Sequence, residues 1–97
     1  MLFEKFEWDE NKNQLNIKKH KVSFQEAKTV FDDKEAIFIS DPDHSEFDED
    51  RFLILGSSRN DKLLVVCHCY RVSDTIVRII SARKATLNET RTYHGKR

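Results

Sequence analysis

The sequence predicts an α+β domain, an antiparallel β-sheet with two helices from the N-terminal part of the chain and one from its C-terminal end. Two helix-start boxes point to it: Ser23 with Glu26, and Thr86 with Glu89, each a hydroxyl residue followed three positions on by a carboxylate. Between the boxes lie short apolar runs separated by turn residues, as expected of strands that pair antiparallel with their sequence neighbours. No internal repeat or linker marks a second domain, so residues 1–97 are expected to form one unit.

The expected order is β-α-α-β-β-β-β-α. Phe6 and Trp8 flank Glu7, so residues 3–8 alternate as a short strand or extended lead-in. Asp9 offers an N-cap for a helix over residues 10–19, whose acids come early and lysines late, as the helix dipole favours. The second helix runs from Ser23 to Phe31, with Phe24, Ala27, Val30 and Phe31 on one stripe and Val22 stapling its start. Residues 36–39 form a short apolar strand. Residues 41–50 hold six acids and the only proline, which suits a surface loop. Strands follow over 51–58, 63–71 and 75–82, with turns at 59–61 and 72–74. The last helix opens at Thr86 and runs to about His94, where Gly95 stops it.

Composition bounds the function. The chain's 97 residues allow one modest core, and 35% of them are charged, above the usual quarter or so. Seven Phe, two Tyr and Trp8 still supply bulky side chains for that core. The formal net charge is zero, but residues 1–31 carry +1, residues 32–50 carry −8 and residues 51–97 carry +7. Either the two charged blocks face each other, or the basic C-terminal half attracts phosphates. No segment approaches the ~18 apolar residues needed to cross a membrane, and the N-terminus lacks a signal-peptide pattern. Cys67 and Cys69 are too close along one strand for an ordinary disulfide and suit a reducing cytoplasm. Cys67-His68-Cys69 resembles a metal motif, but alternation sends the cysteines to one face and His68 to the other, so no metal site is expected. His44, in the acidic loop, is expected to be solvated. With two glycines there is no Gly-rich phosphate loop, and no hydrolase elbow or protease signature occurs.

Chemistry-bearing residues crowd into the C-terminal strand and helix: Arg78, Arg83, Lys84, Arg91, Tyr93 and His94. Arginine forks grip phosphates bidentately, and Tyr or His can stack on unpaired bases. Strict alternation puts Arg78 with Ile80 and Ala82, and Arg83 with Ser81 on the other face. Either a bulge brings the arginines together or only one touches phosphate, in which case Arg83, at the strand's mouth, is better placed. Arg78 would then pair with an acid such as Asp32 or Glu89. On the first helix, Lys12, Asn16 and Lys19 form one polar stripe, expected to be solvated. His20 at that helix's end is suited to proton exchange near neutral pH.

Two stretches together resemble the BrnT toxins of bacterial type II toxin–antitoxin modules. The first is Phe6-Glu-Trp-Asp9-Glu-Asn-Lys12 through Asn16, Lys19 and His20, continuing by Val22-Ser23-Phe24 and Glu26-Ala27 to Phe31-Asp32. The second is Arg78-Ile-Ile-Ser81-Ala82-Arg83-Lys84-Ala85-Thr86 with Glu89, Arg91 and Tyr93, and Arg51-Phe52 opens the first hairpin strand. Lys21 departs from the family pattern, which usually has Gly after Lys-His. The resemblance implies a RelE-like fold and a metal-independent endoribonuclease without cofactor. It also implies neutralisation by a small BrnA-like ribbon–helix–helix antitoxin that binds operator DNA in a toxin–antitoxin hetero-oligomer.

Such cleavage needs a proton acceptor for the ribose 2′-OH, cations for the phosphorane oxygens and an acid for the departing 5′-oxygen. Arg78 and Arg83 are candidates for the scissile phosphate, with His20 or Lys19 for proton transfer and Tyr93 positioning substrate or sharing that role. Arg51, Lys12, Lys84 and Arg91 are candidate phosphate contacts. Two other readings remain at this stage: an RNA- or protein-binding module that does not cut, and a structural partner that only docks an antitoxin.

Overall fold

The computed structural model describes residues 5–39, 51–73 and 75–95. Its elements are β1 (Lys5–Glu7), α1 (Glu10–His20), α2 (Phe24–Lys28), a 3₁₀ turn (Thr29–Asp32), β2 (Ile37–Ile39), β3 (Phe52–Ser57), β4 (Leu63–Arg71), β5 (Ile76–Lys84) and α3 (Leu87–His94). This is the α+β order expected from the sequence. The acidic run 41–50, with His44, lies outside the described residues.

The sheet has the order β1-β5-β4-β3-β2. Its neighbours are antiparallel except β1, which runs parallel to β5 and makes the sheet mixed. A tight turn forces antiparallel pairing only on strands adjacent in sequence. β1 meets its partner across most of the chain, so no turn governs its direction.

Residues opposed on a ladder share a face. One face carries Phe6, Val77, Ile79, Ala82, Val66, Leu64 and Ile54, which close against Val22, Phe24, Ala27, Val30 and Phe31. Gly56 belongs to this face, and a Cβ there would stand 2.9 Å from both Ala36 Cβ and Val30 Cγ1. The helical layer therefore approaches β3 backbone-close at that point.

The helix starts follow local chemistry. Asp9 Oδ1 accepts from Asn11 N at 2.8 Å and Lys12 N at 3.3 Å. Thr86 and Glu89 form the full reciprocal box, at 3.1 and 2.9 Å. At Ser23 only half of the expected box is present: its hydroxyl accepts from Glu26 N. The Glu26 carboxylate accepts instead from the Ser58 hydroxyl at 2.7 Å, tying α2 to the β3–β4 turn. α2 ends at Lys28, and the expected continuation to Phe31 tightens into the 3₁₀ turn, where Thr29 Oγ1 donates to Glu26 O.

α1 has little apolar surface to bury, and Leu15 is exposed. Buried amides hold it instead. Asn13 Oδ1 accepts from Phe24 N at 2.8 Å, satisfying one of the orphan donors at the start of α2. Asn16 Nδ2 donates to Val22 O and Ala82 O, and its Oδ1 accepts from Ala82 N, at 2.8, 2.8 and 3.1 Å. β1 pairs with β5 only as far as Arg78, so Ala82 offers an outer edge that the Asn16 amide completes as a strand would. Asn16 therefore leaves the solvated stripe expected of it; Lys12 and Lys19 are exposed.

Candidate functional site: the arginine face

The second face of the sheet holds the candidate site. β4 and β5 change register between Cys67 and His68: Cys67 opposes Ser81, His68 opposes Ile79, and Ile80 has no partner. This bulge adds one residue to β5 and resets its alternation. Arg78 opposite Cys69, Ser81 opposite Cys67 and Arg83 opposite Val65 consequently share one face. Of the two outcomes the sequence left open, the bulge is the one found. Cys67 and Cys69 lie on this face and His68 on the other, as alternation predicts.

Each arginine is held by a carboxylate, though in different ways. Arg83 makes two bonds to Glu89, Nη1 to Oε1 at 2.8 Å and Nη2 to Oε2 at 3.0 Å. Oε1 also accepts from Thr86 N, so both oxygens of Glu89 are engaged. The Arg83 bonds, helped by Thr86 N, outweigh burial and hold the Glu89 carboxyl at about 2. Arg78 makes one bond, Nη1 to Glu7 Oε2 at 3.0 Å, and Arg71 Nε lies 3.7 Å from the same oxygen. The partner of Arg78 is thus Glu7 on the parallel strand β1, rather than Asp32 or Glu89. Side chains of Arg78 and Glu7 each retain 30% exposure and that of Arg83 38%, so all three are reachable from solvent.

α3 crosses this face from β5 to the far side of β3. Glu89 grips Arg83 at one end, and one turn later Tyr93 Oη donates to Asp33 Oδ2 at 2.7 Å. Asp33 Oδ2 also accepts from Ser57 N at 2.8 Å at the end of β3. An eight-residue helix spans about 12 Å, enough for the roughly 10 Å from β5 to β3. Burial, and then the neighbouring Asp33 carboxylate, push the Tyr93 hydroxyl up to about 12. It is therefore a hydrogen-bond donor and not a base. Arg91 is exposed on the same helix.

The remaining expected contacts are dispersed. Lys84 opposes Leu64 and so lies on the helix-covered side, exposed at the strand's end. Lys12, Lys19 and His20 belong to α1, which packs on that same side along the edge of β5. Among the described residues, no hydrogen bond or ion pair joins those three to Arg78 or Arg83. Arg51 is half-buried just before β3.

His68 is part of the core. It is fully buried among Phe31, Phe38, Phe52 and Tyr70, with Nδ1 3.1 Å from Val66 O and Nε2 3.1 Å from Tyr70 Oη. Burial lowers its pKa to about 4, so it is neutral at physiological pH.

Glu7 and Arg71 are the site residues that sequence reasoning missed. Alternation with Phe6 and Trp8 does put Glu7 opposite the apolar face, but the pairing of β1 with β5 brings it to Arg78.

A family profile described as the ribonuclease toxin BrnT of type II toxin–antitoxin systems matches residues 8–89. The chain belongs to this family. Its fold is similar to the crystal structure of the Brucella abortus ribonuclease toxin BrnT, with a TM-score of 0.62 and 25% identity over 84% of this chain and 96% of that one. A search of curated proteins gives no match. As a BrnT-family ribonuclease toxin, the chain has an antitoxin as its implied partner. The matched span takes in α1, the arginine strand and Glu89, while Glu7, Arg91 and Tyr93 lie outside it. No helix among the described residues is long and apolar enough to cross a membrane.

Proposed function

We propose that the chain is a single-domain toxin that cuts RNA in the cytoplasm without a metal ion, by attack of the ribose 2′-OH on the adjacent phosphorus. The observation that carries this reading is the pair Arg78 and Arg83 on one sheet face, with Ser81 between them. About 15 Å of strand separates the two Cα atoms, which suits a grip on successive parts of one RNA backbone. Both guanidiniums are partly exposed and held by carboxylates, and a part-exposed pair joined by one bond, such as Arg78–Glu7, contributes only about 0–1 kcal/mol. A phosphate can therefore bind the remaining N–H groups of Arg78 beside Glu7, and on Arg83 it can accept the forked hydrogen bonds that Glu89 now takes.

In this mechanism Arg78 neutralises charge that develops on the phosphorane oxygens, and Arg83 holds a neighbouring phosphate of the same strand. Tyr93 and Arg91, on the helix crossing the same face, position the RNA. Lys12, Lys19 and His20 meet RNA only where it bends around the edge of β5. A proton-transfer role for His20 or Lys19 requires that bend. Arg51 and Lys84 provide outlying phosphate contacts. The antitoxin is a BrnA-like ribbon–helix–helix protein that covers the toxin in a hetero-oligomer and binds operator DNA.

Expression of the chain in a bacterial host tests the toxin reading. Growth should stop, and co-expression of the product of the adjoining gene should restore it. Unimpaired growth with the protein present in folded form contradicts the reading.

A further inference from the structure

We infer that Glu7 is the general base of RNA cleavage, taking the 2′-OH proton through its Oε1 oxygen beside a phosphate held by Arg78. This deepens the ribonuclease reading above and rests on it. The attacking 2′-oxygen and the phosphorus it attacks belong to adjacent bonds of one nucleotide. A base must therefore stand next to the cation that holds the phosphate, within hydrogen-bond reach of the nucleophile.

Among the described residues, two carboxylates pair with Arg78 and Arg83, and their geometry separates them. Glu89 is closed: Arg83 takes both oxygens, and Thr86 N takes a second bond to one of them. Glu7 is open. Both of its ion-pair contacts, to Arg78 and Arg71, fall on Oε2, and Oε1 accepts from no described residue. The Arg78 bond holds one oxygen of the carboxylate, with Arg71 Nε 3.7 Å from it, and leaves the other oxygen to a substrate proton. Arg71, Arg78 and Glu7 come from three neighbouring strands, β4, β5 and β1, and share the face of Arg83. The other candidate acceptors are placed less well, since Tyr93 is a donor to Asp33 and His20 lies on α1.

The step balances as follows. The 2′-oxygen forms its bond to phosphorus while its proton passes to Glu7. The bond from phosphorus to the 5′-oxygen breaks, and that oxygen takes a proton from water. Glu7 then returns its proton to the hydroxide so formed. The products are a 2′,3′-cyclic phosphate and a 5′-hydroxyl end.

The test compares the full wild-type chain with Glu7→Gln on one RNA oligonucleotide, and measures binding to the same oligonucleotide with 2′-deoxy sugars. Glu7→Gln should lower kcat by about 10²–10⁴-fold and leave binding of the deoxy strand within about threefold, while Glu7→Ala, which vacates the carboxylate's place, should regain part of its lost rate on addition of formate. A purely structural partner of Arg78 would give no rescue by formate. If Glu7→Gln does not fold, Glu7→Asp takes its place, since it keeps the charge beside Arg71 and Arg78 but withdraws the oxygens by one methylene. It should lose at least tenfold in kcat with KM unchanged. A kcat within threefold of wild type in the folded variant overturns the assignment of Glu7 and leaves the ribonuclease reading standing. Failure of the wild-type chain to cut RNA overturns both.

Discussion

Arg78 and Arg83 stand on the same face of β5 although an odd number of steps separates them, because Ile80 has no partner on β4. Without that extra residue one arginine would enter the helix-covered core. The bulge thus decides whether the strand carries one phosphate grip or two.

The two grips should differ in kinetics. Arg78 lies beside Glu7, so Arg78→Ala should lower kcat by about 10²–10³-fold, the effect of losing one charge-stabilising donor in the transition state. Arg83→Ala should act mainly through RNA binding and raise KM about tenfold. Steady-state cleavage of a single oligonucleotide, with circular dichroism to check the fold, measures both. Equal kcat losses for the two variants would mean that both touch the reacting phosphate.

Removing the amide that joins α1 to the strand edge should cost much more than a surface change. Asn16→Ala leaves Val22 O and both polar groups of Ala82 without their side-chain partner in the interior. The expected loss is about 2–4 kcal/mol in urea unfolding. A loss below about 1 kcal/mol would show that water enters and replaces the amide.

Lys21 ends α1 in the left-handed conformation, with φ 61° and ψ 28°, and its N–H bonds Ile17 O at 2.9 Å. A side chain there costs roughly 1 kcal/mol, which Gly avoids at some expense of chain entropy. Lys21→Gly is expected to raise stability by about 0.5–1 kcal/mol, read as an increase of a few degrees in Tm. An unchanged or lower Tm contradicts this.

Acid should destabilise the protein in two separable windows. His68 is held near 4 in the fold and titrates at 6.5 when exposed. Between these values the unfolded chain binds a proton that the folded chain refuses. Stability from His68 is therefore complete above pH 6.5 and falls by up to about 3 kcal/mol as pH drops toward 4. Glu89 works lower, since its carboxyl near 2 contributes stability that is lost as pH falls from 4.5 toward 2. Unfolding free energies measured across pH should show the first window, and His68→Phe should flatten it while leaving the second.

Much of the fold is legible in the sequence because its signals are local. Asp9, Ser23 and Thr86 start helices through bonds to residues two or three positions on. The antiparallel strands β3, β4 and β5 follow from short turns. What was not legible depends on distant partners. Whether Asn16 faces water or a bare strand edge is set by β1 stopping at Glu7. The bulge leaves no mark in Arg-Ile-Ile-Ser, since either isoleucine suits either face. The candidate arginines could be read from their crowding, but Glu7 could not, because its neighbours come from β4 and β5. Glu26 satisfied its motif in sequence and was diverted by Ser58, a residue far along the chain.

The most direct test of the central claim is incubation of purified wild-type protein with a single-stranded RNA in excess EDTA, with analysis of fragment ends. Attack by the 2′-OH on the arginine face predicts shortened RNA whose fragments end in 2′,3′-cyclic phosphate, with activity unaffected by the chelator. Cleavage that appears only when a divalent metal is restored, or RNA that is shifted in electrophoresis but intact, would contradict it.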